Sequence, residues 1–443
     1  MVCKMRVLLM RRLFPFLFLG LLAGGLATSA HAAFSLGIDE LEKSNFRILQ
    51  GKRVGLVTNP SGADSKGRSA IDVLYHGGKS HGFRLLKLFG PEHGIDGKVG
   101  AGKDVSNSRD PQTGLPVYAL FQTPRGDYRH PSPEMFAGLD VVVYDVQDLG
   151  NRSYTFISTL GNVMDQAAKS NIEVVVLDRP NPLGGVRIEG PRLDPALKSF
   201  VGMYNIPLVY GLTPGELARW INARYLERSC RLTVVAMKGW SRSMVWEDTR
   251  LHWVPTSPNI PTIRAARGYT ATGMLGEVGI ESGLGGPHPF EMVAGNGWDI
   301  GLLAARFNAL HIPGVNAVPT SYRTDDGSAY DGVWLQIDPR NAGNLTAISY
   351  QAIEILQQNV RDFSPFARSP HLSRGAWKDQ LQMFDKCTGT SNVRRALTEG
   401  EPVRAIVRSW NSGVAEWAVE RLPYLIYNVQ PSTSMMVSDP STP

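Results

Sequence analysis

Cysteine is nearly absent from this chain, with three in 443 residues. So few thiols exclude a disulfide scaffold and a cysteine-built metal centre, and a chain this long needs neither. Cys3 belongs to an N-terminal segment considered below, so Cys230 and Cys387 are left as one possible bridge in an oxidising compartment. Clusters of basic charge are missing as well. The formal net charge is +6, but Lys4, Arg6, Arg11 and Arg12 all fall in the first 32 positions, which leaves 42 basic against 40 acidic residues in the rest. A near-neutral chain of this kind gives no electrostatic case for nucleic acid as a partner. Long apolar runs are also scarce, and the one that stands out is at residues 13–27.

That run follows the four basic residues and precedes "AHA" at 30–32, the three parts of a secretory signal peptide with cleavage expected after Ala32. It is short for the roughly 20 residues of an anchor helix, and no cysteine marks a lipid attachment site. The expectation is an exported protein, periplasmic or secreted, with no integral membrane segment once the signal is removed. At 43% hydrophobic the remainder can bury substantial cores, and its length favours about two domains.

Several motifs are absent, and each absence removes a chemistry. No strand-linked G-x-G-x-x-G, no H-E-x-x-H and no G-x-S-x-G occurs, which disfavours dinucleotide chemistry, zincin proteolysis and the usual serine-hydrolase elbow. The string "GKVGAGKD" at 97–104 has the spacing of a phosphate-binding loop, but Asp104 stands where Ser or Thr should hold magnesium. No cofactor is expected.

What is present reads as an α/β protein. Apolar runs at "RVGLVTNP" from 53, "RLLKLFG" from 84, "DVVVYDVQD" from 140, "IEVVVLDRP" from 172 and "RLTVVAMKG" from 231 suggest strands buried on both faces. Between them Phe156, Leu160, Val163, Met164 and Ala167 fall at helical spacing, as do Leu217, Ile221 and Tyr225. This is the rhythm of a Rossmann-like, doubly wound parallel sheet. Three prolines around "HWVPTSPNIPT" (252–262) suggest a boundary, and beyond it two amphipathic helices and a strand at "GVWLQID" suggest a smaller α/β domain. The expected division is 33–255, 256–428 and a disordered tail at 429–443. The glycine-rich "GEVGIESGLGGPHPFE" from 276 reads as a second functional loop facing the first domain.

Polar residues gather just past four of the expected strands: Asn59, then Glu92 and His93, then Asp145 and Asp148, then Asp178 and Arg179. Ligands of doubly wound sheets bind at that edge. Glu92, set between Pro91 and His93 after a strand, is expected to be partly buried, the condition under which a carboxyl group serves as general acid. A loop carboxylate satisfied by backbone N–H groups is the plainer alternative. Asp145 and Asp148 offer a second carboxylate, and two acidic groups across a cleft are the minimal equipment of glycoside hydrolysis; their alternative is capping or pairing with Arg152. Arg152 and Arg179 are candidate forks for a substrate carboxylate, since guanidinium grips carboxylate through two hydrogen bonds. His93, Asp96 and Asp145 could be imagined around a metal, but no ligand spacing supports it. Glu216 in "TPGE" is read as the far half of a capping box with Thr213, outside the site.

Taken together, "VGLVTNPSG", "LFGPEHGIDG", "TGLPVY", "YDVQDLGNRSYT", "DRPNPLGG", "GLTPGELA", "SPNIPT" and "ERLPYLIY" resemble the NamZ/YbbC family of exo-acting β-N-acetylmuramidases, in order from about residue 50 to 427. The resemblance implies a Rossmann-like domain, a smaller C-terminal domain and a cleft between them. It implies removal of N-acetylmuramic acid from non-reducing ends of peptidoglycan fragments, such as muramyl disaccharides and muropeptides, with Glu92 as the catalytic glutamate. Glu92, His93 and Asp145 then form the expected catalytic set. Asn59, Asp148, Arg152, Tyr154, Asp178, Arg179 and His288 form the expected substrate-binding set, without metal. Where the family tends to read "EGTNLSEGRGTTRPFE", this chain lacks the loop's Asn and Arg, which makes Arg152 the first candidate and His288 the second for reading the lactyl carboxylate. A wall-sugar-binding protein without catalysis is the rival of another class, and a wall amidase or deacetylase is the third reading.

Overall fold

The parallel strands form where the sequence runs apolar without alternation. In a computed structural model, which describes residues 34–122, 129–367 and 374–428, seven strands make one sheet: β1 (Arg53–Thr58), β2 (Arg84–Gly90), β3 (Ser108–Arg109), β4 (Pro116–Ala119), β5 (Val141–Asp145), β6 (Glu173–Leu177) and β7 (Arg231–Val235). Their order is β3-β4-β2-β1-β5-β6-β7, parallel throughout except for β3. The sheet is therefore doubly wound. The expected signal segment and the tail at 429–443 lie outside the described residues.

Successive side chains of these strands serve opposite cores. Val142, Tyr144, Val174 and Val176 pack with the helices Phe156–Lys169 and Pro214–Arg224. Val141, Val143, Val175 and Leu177 point the other way, into a core shared with Gly37–Lys43 and Ala70–His81. Burial on both faces explains the unbroken apolar runs, because no position between Val141 and Asp145 meets solvent. Each fully buried Val or Leu contributes roughly 1.5–3 kcal/mol relative to exposure, so one charge in β5 or β6 would be severe.

The helix starts follow local chemistry. Ser69 Oγ accepts from Asp72 N at 3.0 Å to open Ala70–His81. The capping box expected at Pro214–Arg224 is present: Glu216 N donates to Thr213 Oγ1 at 3.2 Å, and Thr213 N to Glu216 Oε2 at 3.1 Å.

A second sheet of order β8-β10-β9 holds β8 (Met292–Gly295), β9 (Val315–Arg323) and β10 (Ala329–Ile337), all antiparallel. Helices Ile300–Ala309 and Leu345–Asn359 pack on it around Val293, Val333 and Leu335. The two sheets lie either side of the proline-rich 252–262 segment, yet the chain does not end on the second one. Trp417 Nε1 donates to Tyr210 O at 2.8 Å, Ile426 N to Glu216 Oε1 at 2.9 Å and Tyr427 Oη to Asp178 Oδ2 at 2.6 Å. These contacts return the C-terminal segment to the first sheet, and the described residues belong to one compact unit.

Candidate functional site

Strand order sets where a site can form. From β1 the chain winds one way through β2 to β4, then crosses back to β5 on the other side, so the switch point lies between β1 and β5. The loops after β1, β2 and β5 meet there. Asn59 leaves β1 and turns inward: its Oδ1 accepts from Ser61 N at 3.0 Å and Ser61 Oγ at 2.5 Å, and its Nδ2 donates to Thr256 O at 3.3 Å. Asn59 thus ties the β1 turn to the "SPNIPT" segment.

Glu92 follows β2 and keeps only 7% of its surface accessible. Gly102 N donates to its Oε1 at 2.8 Å, and Thr155 Oγ1 to its Oε2 at 2.5 Å. His93 adopts a left-handed φ of 71°, and its Nδ1 lies 2.8 Å from Val99 O. The strained backbone at His93 is held by that bond and by Val99 N donating to His93 O at 3.1 Å. The near-phosphate-loop sequence at 97–104 is therefore a cover tied to the Glu92–His93 pair.

Around Glu92 stands a set of hydroxyl groups. Ser153 Oγ lies 3.1 Å from Tyr269 Oη, Tyr154 Oη donates to Thr256 Oγ1 at 2.7 Å, and Asn151 Nδ2 reaches Thr270 Oγ1 at 3.4 Å. Tyr154 packs edge-on against Phe156 and Tyr269, and Tyr269 against Phe290. Burial raises both phenols, and the charge of Glu92 adds to the rise. Tyr154, expected to bind substrate, precedes the Thr155 that bonds Glu92 and has its own hydroxyl on Thr256. Thr155, Ser153, Thr256 and Tyr269 were not anticipated: uncharged hydroxyls carry no sequence signal, and Tyr269 comes from helix Ile263–Thr272, more than a hundred residues away.

Other expected site residues are closed into the protein. Asp145, expected as the second catalytic carboxylate, has no accessible surface; Arg179 Nε and Nη2 bond its two oxygens at 2.6 and 2.9 Å. Burial pushes Asp145 above the usual carboxylate range although Arg179 pulls it down. Arg179, which also donates to Ala63 O at 2.8 Å, is the internal partner of Asp145 and not a fork for substrate. Arg152 is likewise wholly buried. Its guanidinium donates to Pro191 O, Ile206 O and Thr388 O at 2.8, 2.6 and 2.7 Å, and burial lowers its pKa to about 10. The expectation that Arg152 reads a lactyl carboxylate is thereby corrected: it clamps backbone from three segments.

Asp178 is also fully buried. It accepts from Gly215 N, Thr213 Oγ1 and Tyr427 Oη at 2.8, 2.8 and 2.6 Å, and burial raises its pKa to about 7. It fastens the C-terminal segment to the sheet and does not reach substrate. Asp148 takes bonds from Gly150 N at 2.7 Å and from the Tyr210 hydroxyl on Oδ2, while Oδ1 has no partner among the described residues. Burial raises it to about 6. His288 lies in the loop before β8, stacked on Trp334 of β10 with ring centroids 4.2 Å apart.

An open groove of about 560 Å³ lies on the second sheet, lined by Arg264, Arg267, Glu291, Asn316, Trp334 and Asp338, and Glu92 is not on its wall. Convergent chemistry outweighs size here, so the site is placed at Glu92. Among the described residues no group of three His, Cys, Asp or Glu is placed to hold a metal ion. The trio His93, Asp96 and Asp145 does not assemble, since His93 is tied to Val99 and Asp145 to Arg179. Cys230 and Cys387 are free thiols.

Fold and site define an α/β protein with one braced glutamic acid at the switch point of a doubly wound sheet. The chain belongs to the exo-beta-N-acetylmuramidase NamZ family: the family's N-terminal region matches residues 54–264 and its C-terminal region residues 267–427. It is 37% identical over 395 residues to the peptidoglycan beta-N-acetylmuramidase NamZ of Bacillus subtilis strain 168, covering 88% of this chain and 91% of that one. Crystal structures of two DUF1343 family proteins of Bacteroides fragilis are similar. One has a TM-score of 0.80 at 38% identity, covering 89% of this chain and 99% of its own, and the other 0.68 at 26%, covering 90% and 100%.

Proposed function

We propose that the chain is an exported exo-acting glycoside hydrolase that releases N-acetylmuramic acid from the non-reducing ends of peptidoglycan fragments during cell-wall turnover, with Glu92 as general acid. The observation that carries this reading is the double brace on Glu92. Gly102 N–H and Thr155 Oγ1 fix both oxygens, so the carboxyl group meets a glycosidic oxygen without first being oriented. Protonation of that oxygen lets the bond to the anomeric carbon break, water supplies the oxygen that bonds to that carbon and its released proton restores Glu92, and an amide at the same place has no such proton to give. The hydroxyls of Ser153 and Tyr269 offer hydrogen bonds of the kind a sugar ring requires.

Export is supported by the basic head, apolar run and A-x-A at the N-terminus. Among the described residues no helix is long and apolar enough to cross a membrane. The test is turnover of a chromogenic N-acetylmuramide by the purified protein. Release of the chromophore together with free N-acetylmuramic acid is expected; binding of the sugar without release would make the protein a wall-sugar-binding module instead.

A further inference from the structure

Resting on the reading above, the substrate carries a carboxylate on the lactyl ether of its third carbon, and a site selective for it needs a cation or hydrogen-bond donors close to Glu92, of which a cation matches the charge. The guanidiniums first expected there are engaged elsewhere, Arg179 by Asp145 and Arg152 by backbone carbonyls. His288 is held against Trp334 of β10.

The loop covering Glu92 has its own cations. It is fixed to the Glu92–His93 pair at two points, Val99 O beside His93 Nδ1 and Gly102 N on Glu92 Oε1, both at 2.8 Å. A lysine adjoins each point: Lys98 precedes Val99, and Lys103 follows Gly102. Both are exposed, and neither joins the ion pairs that lysines form elsewhere among the described residues. Of the loop's carboxylates, Asp96 accepts the Lys98 backbone N–H at 3.2 Å and Asp104 has a partner of its own. The Lys103 stem runs beside Gly100, where an added Cβ would meet its Cγ at 3.7 Å. A four-carbon stem carries an ammonium roughly 6 Å from its Cα. Since Lys103 follows the Gly102 whose N–H meets Glu92, that reach puts its ammonium within range of groups bound close to Glu92.

We propose that Lys103, flanked by Lys98, supplies the cation that recognises the lactyl carboxylate and so sets the preference for muramic acid over N-acetylglucosamine. Lys103 is a specificity residue that leaves the proton transfer to Glu92. The loop backbone stays bonded to Glu92 whatever side chain stands at 103, so Lys103→Met should fold as the parent does.

The test uses the full chain and two probes, free N-acetylmuramic acid and free N-acetylglucosamine, titrated calorimetrically into the parent, Lys103→Met, Lys103→Arg and the Lys98→Met/Lys103→Met double variant. The parent should bind the muramic acid more tightly. Lys103→Met should weaken that binding about 10- to 100-fold, the scale of one charge-assisted hydrogen bond, and leave N-acetylglucosamine unchanged. Lys103→Arg should recover most of the loss. The inference is overturned if the parent does not distinguish the two sugars, if Lys103→Met weakens both equally, or if the preference survives in the double variant. Because binding is read directly, a parent that discriminates but does not turn over a muramide would overturn the hydrolase reading and leave this one standing.

Discussion

Thr155 donates its hydroxyl to Glu92 Oε2 at 2.5 Å across two loops, one following β2 and the other following β5. Two strands on either side of the central β1 thus fix a single carboxyl group. Because Thr155 immediately precedes helix Phe156–Lys169, the hydroxyl is held by a rigid element, and the acid inherits that rigidity.

Asp145 tests the boundary between structure and catalysis. Asp145→Asn leaves the guanidinium of Arg179 buried without its counter-charge, a change that costs about 3–5 kcal/mol when one partner of a buried pair is removed. The urea midpoint should fall accordingly. Activity per folded molecule should stay within a few-fold of the parent, and a far larger loss at unchanged stability would return Asp145 to the catalytic set.

Arg152→Met should lower stability, because the carbonyls of Pro191 and Thr388 lose their donor while that of Ile206 keeps only Leu193 N. About 1–3 kcal/mol is expected for each buried acceptor left unmatched. Any loss of turnover should be equal on a muramide and on the matching glucosaminide, and a selective loss on the muramide would show that Arg152 does meet the lactyl group.

The buried acids give the fold an uncommon pH dependence. Asp178 and Asp148 are raised by burial to about 7 and about 6, so the folded chain binds protons that the unfolded chain, with ordinary carboxyl groups, has released. Their contribution to stability is then fully present below the ordinary carboxylate range and is lost as pH rises through 6 and 7. Thermal midpoints should be higher at pH 5.5 than at pH 8. Asp178→Asn keeps an acceptor for Gly215 N and should flatten much of that slope; an unchanged slope would mean that Asp178 does not titrate in this range.

Dialysis against a strong chelator should leave turnover unchanged, since the braced glutamate needs only its own proton and the surrounding hydroxyls. Loss of activity restored by one divalent ion would revive the deacetylase reading.

Much of this was legible in the sequence, for physical reasons that also mark the limit. The central strands β1, β5 and β6 are buried on both faces and so run apolar without a break, while β2, interrupted by Lys87, and the partly buried edge strand β7 are apolar enough to follow the same pattern. The short edge strands β3 and β4 and the antiparallel β8 and β9 have no such signature, and only β10 was expected in the second sheet. Glu92 stood out through its place after β2. Asp145, Asp178, Arg152 and Arg179 looked equivalent to it, because a sequence shows which polar groups follow a strand but not whether they turn toward the crevice or back into the core. Pairing decides that question, and the partners of Asp178 and Arg152, Tyr427 and Thr388, lie more than two hundred residues away.

The central claim is that Glu92 is the proton donor, and Glu92→Gln measures it most directly. The amide keeps an acceptor for Gly102 N–H, and the Thr155 hydroxyl can rotate to accept from its NH2 group, so the thermal midpoint should match the parent's. Turnover of a chromogenic muramide should fall roughly 10²- to 10⁴-fold, the usual loss when general acid catalysis is removed. Turnover within a few-fold of the parent, at equal stability, would contradict the account.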